Sequence, residues 1–184
     1  MITLHCRPAG MAGTEVRIGQ GLLAELPHWT ADRTTFALLD RTVAARHAVL
    51  QADGWHRHEL TGGETVKTFT VLEAVLRAMV QAGCDRSSRL LACGGGSIGD
   101  LGGLAASLFQ RGIELWQVPT TLLAMVDAGV GGKTAINLPE GKNLVGTVHP
   151  AALVVIDLEF VRLLPEREFD SGLAEAVKMA IGLD

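Results

Sequence analysis

The chain has 184 residues, 48% hydrophobic and 20% charged, a composition that excludes disordered and collagen-like classes and fits one globular domain. Sixteen Lys and Arg against twenty Asp and Glu leave a net charge of −4, which argues against a general nucleic-acid binder. The longest clean apolar run, residues 151–156, is too short to span a bilayer, and the first twenty residues hold no continuous hydrophobic leader, so a soluble, cytoplasmic protein is expected.

Along the chain, short apolar runs alternate with helical patterns. TEVRI at 14–18 reads as a strand before a helix around 21–28, and TTFALLD at 34–40 as a buried strand before a helix at about 42–52. A short strand near 56–60 leads into a helix within 66–83. There Val71, Val75, Met79 and Leu72, Leu76, Val80 keep four-residue spacing on one broad face, and Gly83 ends the pattern. SRLLAC at 88–93 is the next strand, followed by a Gly loop, a helix over 100–110, a strand at 114–118 and a last strand at 151–156. In the terminal helix EREFDSGLAEAVKMAIGLD, Phe169, Leu173, Val177 and Ile181 recur every four residues and are expected to face the core. Such alternation predicts an α/β fold, a Rossmann-like, mostly parallel sheet with helices on both faces. Cys6, Cys84 and Cys93 form neither a metal pair nor a disulfide framework, and Cys93 reads as a small core residue.

Glycine is the compositional outlier, and its excess is concentrated between residues 94 and 146. In GGGSIGD, Gly94, Gly96 and Gly99 satisfy G-x-G-x-x-G after a strand and before a helix. Glycines let the backbone approach a pyrophosphate, whose charge the helix N-terminus favours. A bare Gly-rich turn is the competing account. The acid that usually follows in dinucleotide sites is missing from the next strand, which ends Val118-Pro119-Thr120-Thr121. Asp40 and Glu64 are alternative ribose partners; equally, Asp40 can cap the helix after it, and Thr61 with Glu64 can form a capping box. GVGGKT at 129–134 fails the P-loop pattern because position 127 is Asp, and no strand precedes it. What remains is a Gly-rich loop presenting Lys133, then Lys142 and Asn143, suited to phosphate or simply solvated. Glu175 and Lys178, three apart, are either a surface ion pair or a metal ligand beside a proton-moving lysine.

Five stretches, GGETVK, GGGSIGDLGGLAAS, QRGIELWQVPTTLLAMVDAGVGGKTAIN, GKNLVG and GLAEAVK, closely resemble the 3-dehydroquinate synthases of the sugar-phosphate cyclase superfamily. The resemblance is strong from residue 94 and weaker before residue 60. It implies that Asp40, Glu64 and Lys67 hold the adenosine and ribose part of NAD. Gly95, Gly96, Ser97, Ile98, Gly99 and Asp100, with Thr120 and Thr121, would line its pyrophosphate and nicotinamide end. Lys133, Lys142, Phe160 and Leu163 would complete the cofactor wall. The resemblance also implies that Asp127, Lys133, Asn143 and Lys178 contact a sugar phosphate substrate, and that Glu175 is one of three ligands of a divalent metal, zinc or cobalt. Arg111 looks like the arginine that family members lend to a neighbouring subunit, implying a homodimer; no nucleic-acid or membrane partner is implied. The expected reaction takes 3-deoxy-D-arabino-heptulosonate 7-phosphate to 3-dehydroquinate and phosphate.

Members of that family run to about twice this length, with two histidine ligands in a following helical domain that the histidines at 5, 28, 47, 56, 58 and 149 do not match. The expectation is therefore an NAD-binding domain over 1–165, the start of a helical domain over 166–184, and an incomplete zinc site with little or no turnover by this polypeptide alone. Leu163 stands where the family commonly has Thr, and Met179 where it commonly has Tyr. Three other functions compete: a valiolone- or inosose-forming cyclase, a metal-dependent polyol dehydrogenase and a non-catalytic NAD-binding module.

Overall fold

Apolar runs without polar alternation need cover on both faces, and such runs make the centre of this molecule. The computed structural model describes residues 1–7, 12–51 and 53–182. Its strands are β1 (Ile2–Cys6), β2 (Thr14–Gly19), β3 (Thr35–Asp40), β4 (Trp55–Leu60), β5 (Arg89–Gly94), β6 (Glu114–Pro119), β7 (Lys133–Leu138), β8 (Gly141–Val148) and β9 (Leu153–Asp157). The helices are α1 (Leu26–Trp29), α2 (Arg41–Arg46), α3 (Phe69–Gln81), α4 (Gly96–Leu108), α5 (Glu159–Arg162) and α6 (Glu166–Gly182). Seven strands form one sheet in the order β1-β2-β9-β6-β5-β3-β4, parallel except where β1 pairs antiparallel with β2 at one edge. β5 and β9 are buried throughout, and β3 is buried up to its last residue, Asp40. The α/β reading of the sequence is correct. Among the described residues no helix is long and apolar enough to cross a membrane.

Helices depart from expectation where tertiary contacts outweigh local pattern. The helix expected over 42–52 stops at Arg46, because His47 takes an extended backbone (φ −126, ψ 99), and a 3-10 turn at Ala48–Gln51 follows; residue 52 lies outside the described residues. The helix expected around 21–28 is a 3-10 turn, Leu22–Glu25, joined to α1. In α3, Leu72, Val75 and Met79 are buried but Val80 is exposed, so the apolar stripe is narrower than its spacing predicts. The helix ends as expected, with Gly83 in the left-handed region (φ 72). No capping box forms from Thr61 and Glu64. Thr68 caps α3 instead, its Oγ1 accepting from Val71 N at 3.2 Å. Thr68→Ala is expected to lower stability by about 1 kcal/mol, read from the midpoint of chemical denaturation.

α4 begins at Gly96, four residues before the expected start, so part of the predicted glycine loop is its first turn. Low helix propensity disguises this segment, and packing explains it. A Cβ on Gly102 would lie 2.8 Å from Ala92 Cβ, and one on Gly103 would lie 2.5 Å from Thr134 Cγ2. The glycine excess is thus the close seating of α4 on the sheet and on β7.

Two further expectations fail. The Gly-rich loop carrying Lys133 and Lys142 is an antiparallel hairpin of β7 and β8, packed on α4. And Phe169, Leu173, Val177 and Ile181 do not face the core: they are 37%, 45%, 48% and 75% exposed. α6 docks through Gly172, where a Cβ would lie 2.5 Å from Leu122 Cβ. Four-residue spacing identifies an apolar stripe but not what it packs against. The last two residues of that predicted helix, 183 and 184, lie outside the described residues.

Candidate active site

The chain passes from β3 outward to β4, then returns to place β5 on the other side of β3 before continuing to β6. Winding therefore reverses between β3 and β5. In open parallel sheets the crevice at the carboxyl ends of such strands is where ligands bind. Asp40 ends β3 and Gly94 ends β5, and a cleft of about 530 Å³ opens there.

One wall is the start of α4, with Gly95, Gly96, Ser97 and Asp100; Thr120 and Thr121 follow from the end of β6. Glu64 and Lys67 face it, Asp40 closes one side, and Phe160 and Leu163 come from α5 and its end. Asp40 also caps α2, as one reading of its sequence expects, its Oδ1 accepting from Thr42 N at 2.8 Å and Val43 N at 3.2 Å, and it lines the cleft at the same time. Ile98 and Gly99 are buried in α4 and do not line the cleft. Sequence reasoning missed Thr42, Val43, Arg46 and His47, which line the same wall; His47 meets Phe160 edge-on with ring centroids 5.0 Å apart. Their signal was available, since Thr42, Val43 and Arg46 occupy the helical turns directly after Asp40 and His47 follows them.

Lys67 is the electrostatic centre. Only 3% exposed, it donates from Nζ to Asp100 Oδ2 at 2.7 Å and to Asn143 Oδ1, with Glu64 Oε1 at 3.8 Å. Burial pushes the Asp100 carboxyl above the usual carboxylate range, and the Lys67 bond and charge counter this only in part. Glu64 accepts from Asn137 Nδ2 at 2.7 Å, and Gly63 N donates to Ser97 Oγ at 3.1 Å.

A second cavity of about 550 Å³ adjoins the first, and Asp100 and Asp127 line both. Lys133 and Asn143 line it too. Lys133 Nζ donates to Asp127 Oδ1 at 2.7 Å; this bond, opposed by some burial and helped by the charges of Asp127, Asp100 and Glu175, raises the lysine above its ordinary pKa. Asn143 holds a left-handed backbone (φ 58). Lys142, exposed on β8, lines neither cavity. Lys178 pairs with Glu175 on α6, as their spacing allows, and neither lines the two cavities. Arg111 is exposed in the turn after α4, which puts it about 20 Å along that 13-residue helix from the cleft.

The cleft suits a dinucleotide. No side chain caps the N-terminus of α4, which leaves its first amides for an anion. A Cβ on Gly95 would lie 3.3 Å from Thr121 Cγ2, and one on Gly96 3.4 Å from Ala128 Cβ, so the glycines keep the floor open for close backbone approach. A metal ion does not fit in the same way: among the described residues no three His, Cys, Asp or Glu side chains come together to hold one.

Fold and cleft together define a Rossmann-like α/β domain with an anion-accepting helix N-terminus at its switch point. Residues 57–171 match the family described as 3-dehydroquinate synthase N-terminal, and the chain belongs to that family. It is 41% identical over 180 residues to a 3-dehydroquinate synthase of Pelobacter propionicus, which covers 98% of this chain and 46% of that protein. Among solved structures, a 2-deoxy-scyllo-inosose synthase complexed with carbaglucose-6-phosphate, NAD+ and Co2+ superposes with a TM-score of 0.86 at 27% identity, over 96% of this chain and 50% of the other. The 2-epi-5-epi-valiolone synthase of Streptomyces hygroscopicus subsp. jinggangensis, with NAD+ and Zn2+ bound, gives a TM-score of 0.78 at 33% identity, over 92% of this chain and 49% of the other. The chain spans about half the length of the curated relatives it matches.

Proposed function

We propose that this chain is the NAD-binding half of a 3-dehydroquinate synthase, an enzyme that converts 3-deoxy-D-arabino-heptulosonate 7-phosphate to 3-dehydroquinate with loss of phosphate. The observation that carries the reading is the adjacency of a dinucleotide-shaped cleft and a lysine-bearing cavity through Asp100 and Asp127. Because the chain spans about half of its relatives, turnover belongs to the longer protein in this reading and cofactor binding to this chain. Residues 1–165 form the cofactor domain and 166–184 begin a helical one; the docking of α6 through Gly172, with its apolar stripe exposed, supports that division.

Within the cleft, Asp40 and Glu64 accept from ribose hydroxyls, the amides at the start of α4 hold the pyrophosphate, and Thr120 and Thr121 flank the nicotinamide end. When bound, NAD+ supplies reversible hydride acceptance from a ring carbon bearing a hydroxyl, which acidifies the neighbouring C–H. The protein's own part is charge and position. Lys133, kept protonated by Asp127, faces the substrate phosphate, and Lys178 adds a second cation from α6. Asn143 accepts from Lys67 Nζ at its Oδ1, which leaves its Nδ2 to donate to a substrate oxygen. Glu175 is read as one ligand of a metal whose other ligands lie outside this chain, and no step is routed through it. The longer protein is read as a cytoplasmic homodimer in which Arg111 serves the neighbouring cleft, a role that its distance from its own cleft supports.

Calorimetric titration of the 184-residue chain with NAD+ tests the cofactor reading. Saturable 1:1 binding is expected, with no phosphate release from the sugar phosphate. A folded sample that binds no NAD+ overturns the cofactor assignment, and steady phosphate release with tight stoichiometric zinc overturns the division of labour. The nearest competitor, an inosose- or valiolone-forming cyclase, draws support from the likeness to those synthases but from lower sequence identity. Phosphate release from a hexose or heptulose phosphate by the longer protein decides between them.

A further inference from the structure

We propose that Asn137 is a positioning residue that locks Glu64, Lys67 and Asn143 together and so couples the two cavities; this rests on the reading of the first cleft as an NAD+ site. Asn137 lines neither cavity, whereas Glu64 lines the first, Asn143 the second, and Lys67 bonds into both sets. Three of its polar groups are engaged. Its backbone N–H donates to Lys67 O at 2.8 Å, its Nδ2 donates to Glu64 Oε1 at 2.7 Å, and its Oδ1 accepts from Asn143 N at 2.8 Å.

The hairpin is built to permit this. Pairing runs Ile136 with Val145 and then jumps to Leu138 with Gly141, so Asn137 falls at an irregularity in the ladder. A residue released from its ladder partner can turn its N–H to another segment, here the backbone of Lys67. The bond to Asn143 N holds a residue whose backbone is left-handed (φ 58), a conformation non-glycine residues seldom adopt, and that conformation accompanies delivery of its Oδ1 to Lys67. A side-chain amide on a one-carbon stem offers a donor to Glu64 and an acceptor to Asn143 at once. A carboxylate would keep the second bond and set a like charge against Glu64. A methyl group would lose both.

Asn137→Ala and Asn137→Asp in the 184-residue chain separate these roles. NAD+ affinity is read by calorimetry, relative to the unaltered chain, and exchange of the Asn143 amide by NMR. Asn137→Ala is expected to weaken NAD+ roughly tenfold and to speed Asn143 exchange by a similar factor. Asn137→Asp is expected to weaken NAD+ roughly tenfold as well, because its like charge displaces Glu64, while Asn143 stays protected. A merely structural role would move affinity and Asn143 exchange together in both variants, and that outcome overturns the proposal. So does wild-type NAD+ affinity in both variants. If the unaltered chain binds no NAD+, the cofactor reading falls by itself, and unchanged Asn143 exchange in Asn137→Ala would separately overturn the positioning role.

Discussion

Gly96→Val is expected to weaken NAD+ binding by roughly a hundredfold, about 2.8 kcal/mol, while leaving the thermal midpoint within a few degrees of the unaltered chain. Gly96 is the first residue of α4, and a Cβ there already meets Ala128 Cβ at 3.4 Å. Valine's two methyl groups therefore have to project into the cleft over the amides that would hold the pyrophosphate. The backbone at Gly96 is right-handed helical and not in the positive-φ region, and valine is the better helix former, so the fold has no reason to suffer. Calorimetry and a thermal melt on the same sample check both halves. Undiminished affinity would mean that the pyrophosphate does not lie on the floor made by α4.

Asp100→Ala is expected to cost about 3 kcal/mol of folding stability, more than Lys67→Met, as measured by chemical denaturation at neutral pH. Removing the carboxylate leaves the Lys67 charge 3% exposed, with Asn143 as its closest remaining partner and Glu64 at 3.8 Å. Removing the lysine instead leaves a partly exposed carboxyl, already pushed upward by burial, that can take up a proton. The pair thus need not stabilise the fold relative to having no charges there; it is the broken pair that is expensive. The pH dependence has a definite sign. A carboxyl whose folded value is raised contributes stability that is full below the ordinary value of 3.8 and is lost as pH rises through the raised value. The stability of the unaltered chain relative to Asp100→Asn should therefore be largest near pH 4 and shrink toward neutrality. A difference growing with pH over that range would show that the Lys67 contact outweighs burial.

Much of the site was legible because its residues sit at the ends of recognisable elements. Asp40 closes an apolar strand, Gly95 and Gly96 open a helix after another, and Thr120 and Thr121 follow a third, so they meet wherever parallel strands align their carboxyl ends. Glu64 was reached as a spare acid for a ribose, but Lys67 only through family resemblance, because GGETVK forms a 3-10 turn without periodicity. Asn137 escaped both routes. Its partners lie 73, 70 and 6 residues away in sequence, and nothing in TAIN marks the irregular pairing that frees its N–H.

Local sequence, then, determined which segments are buried strands, since an unbroken apolar run can satisfy its side chains only between two covering layers. It also determined where α3 stops, because Gly83 takes a backbone conformation costly for other residues. Tertiary structure alone decided that β5 lies across β3 from β4, that the lysine loop is a hairpin, that α4 starts at its glycines, and that the apolar stripe of α6 faces outward. Each of these depends on contacts between segments far apart in the chain. Helical or strand periodicity reports which side of an element is apolar, but the surface that meets that side is set by the packing of the whole domain.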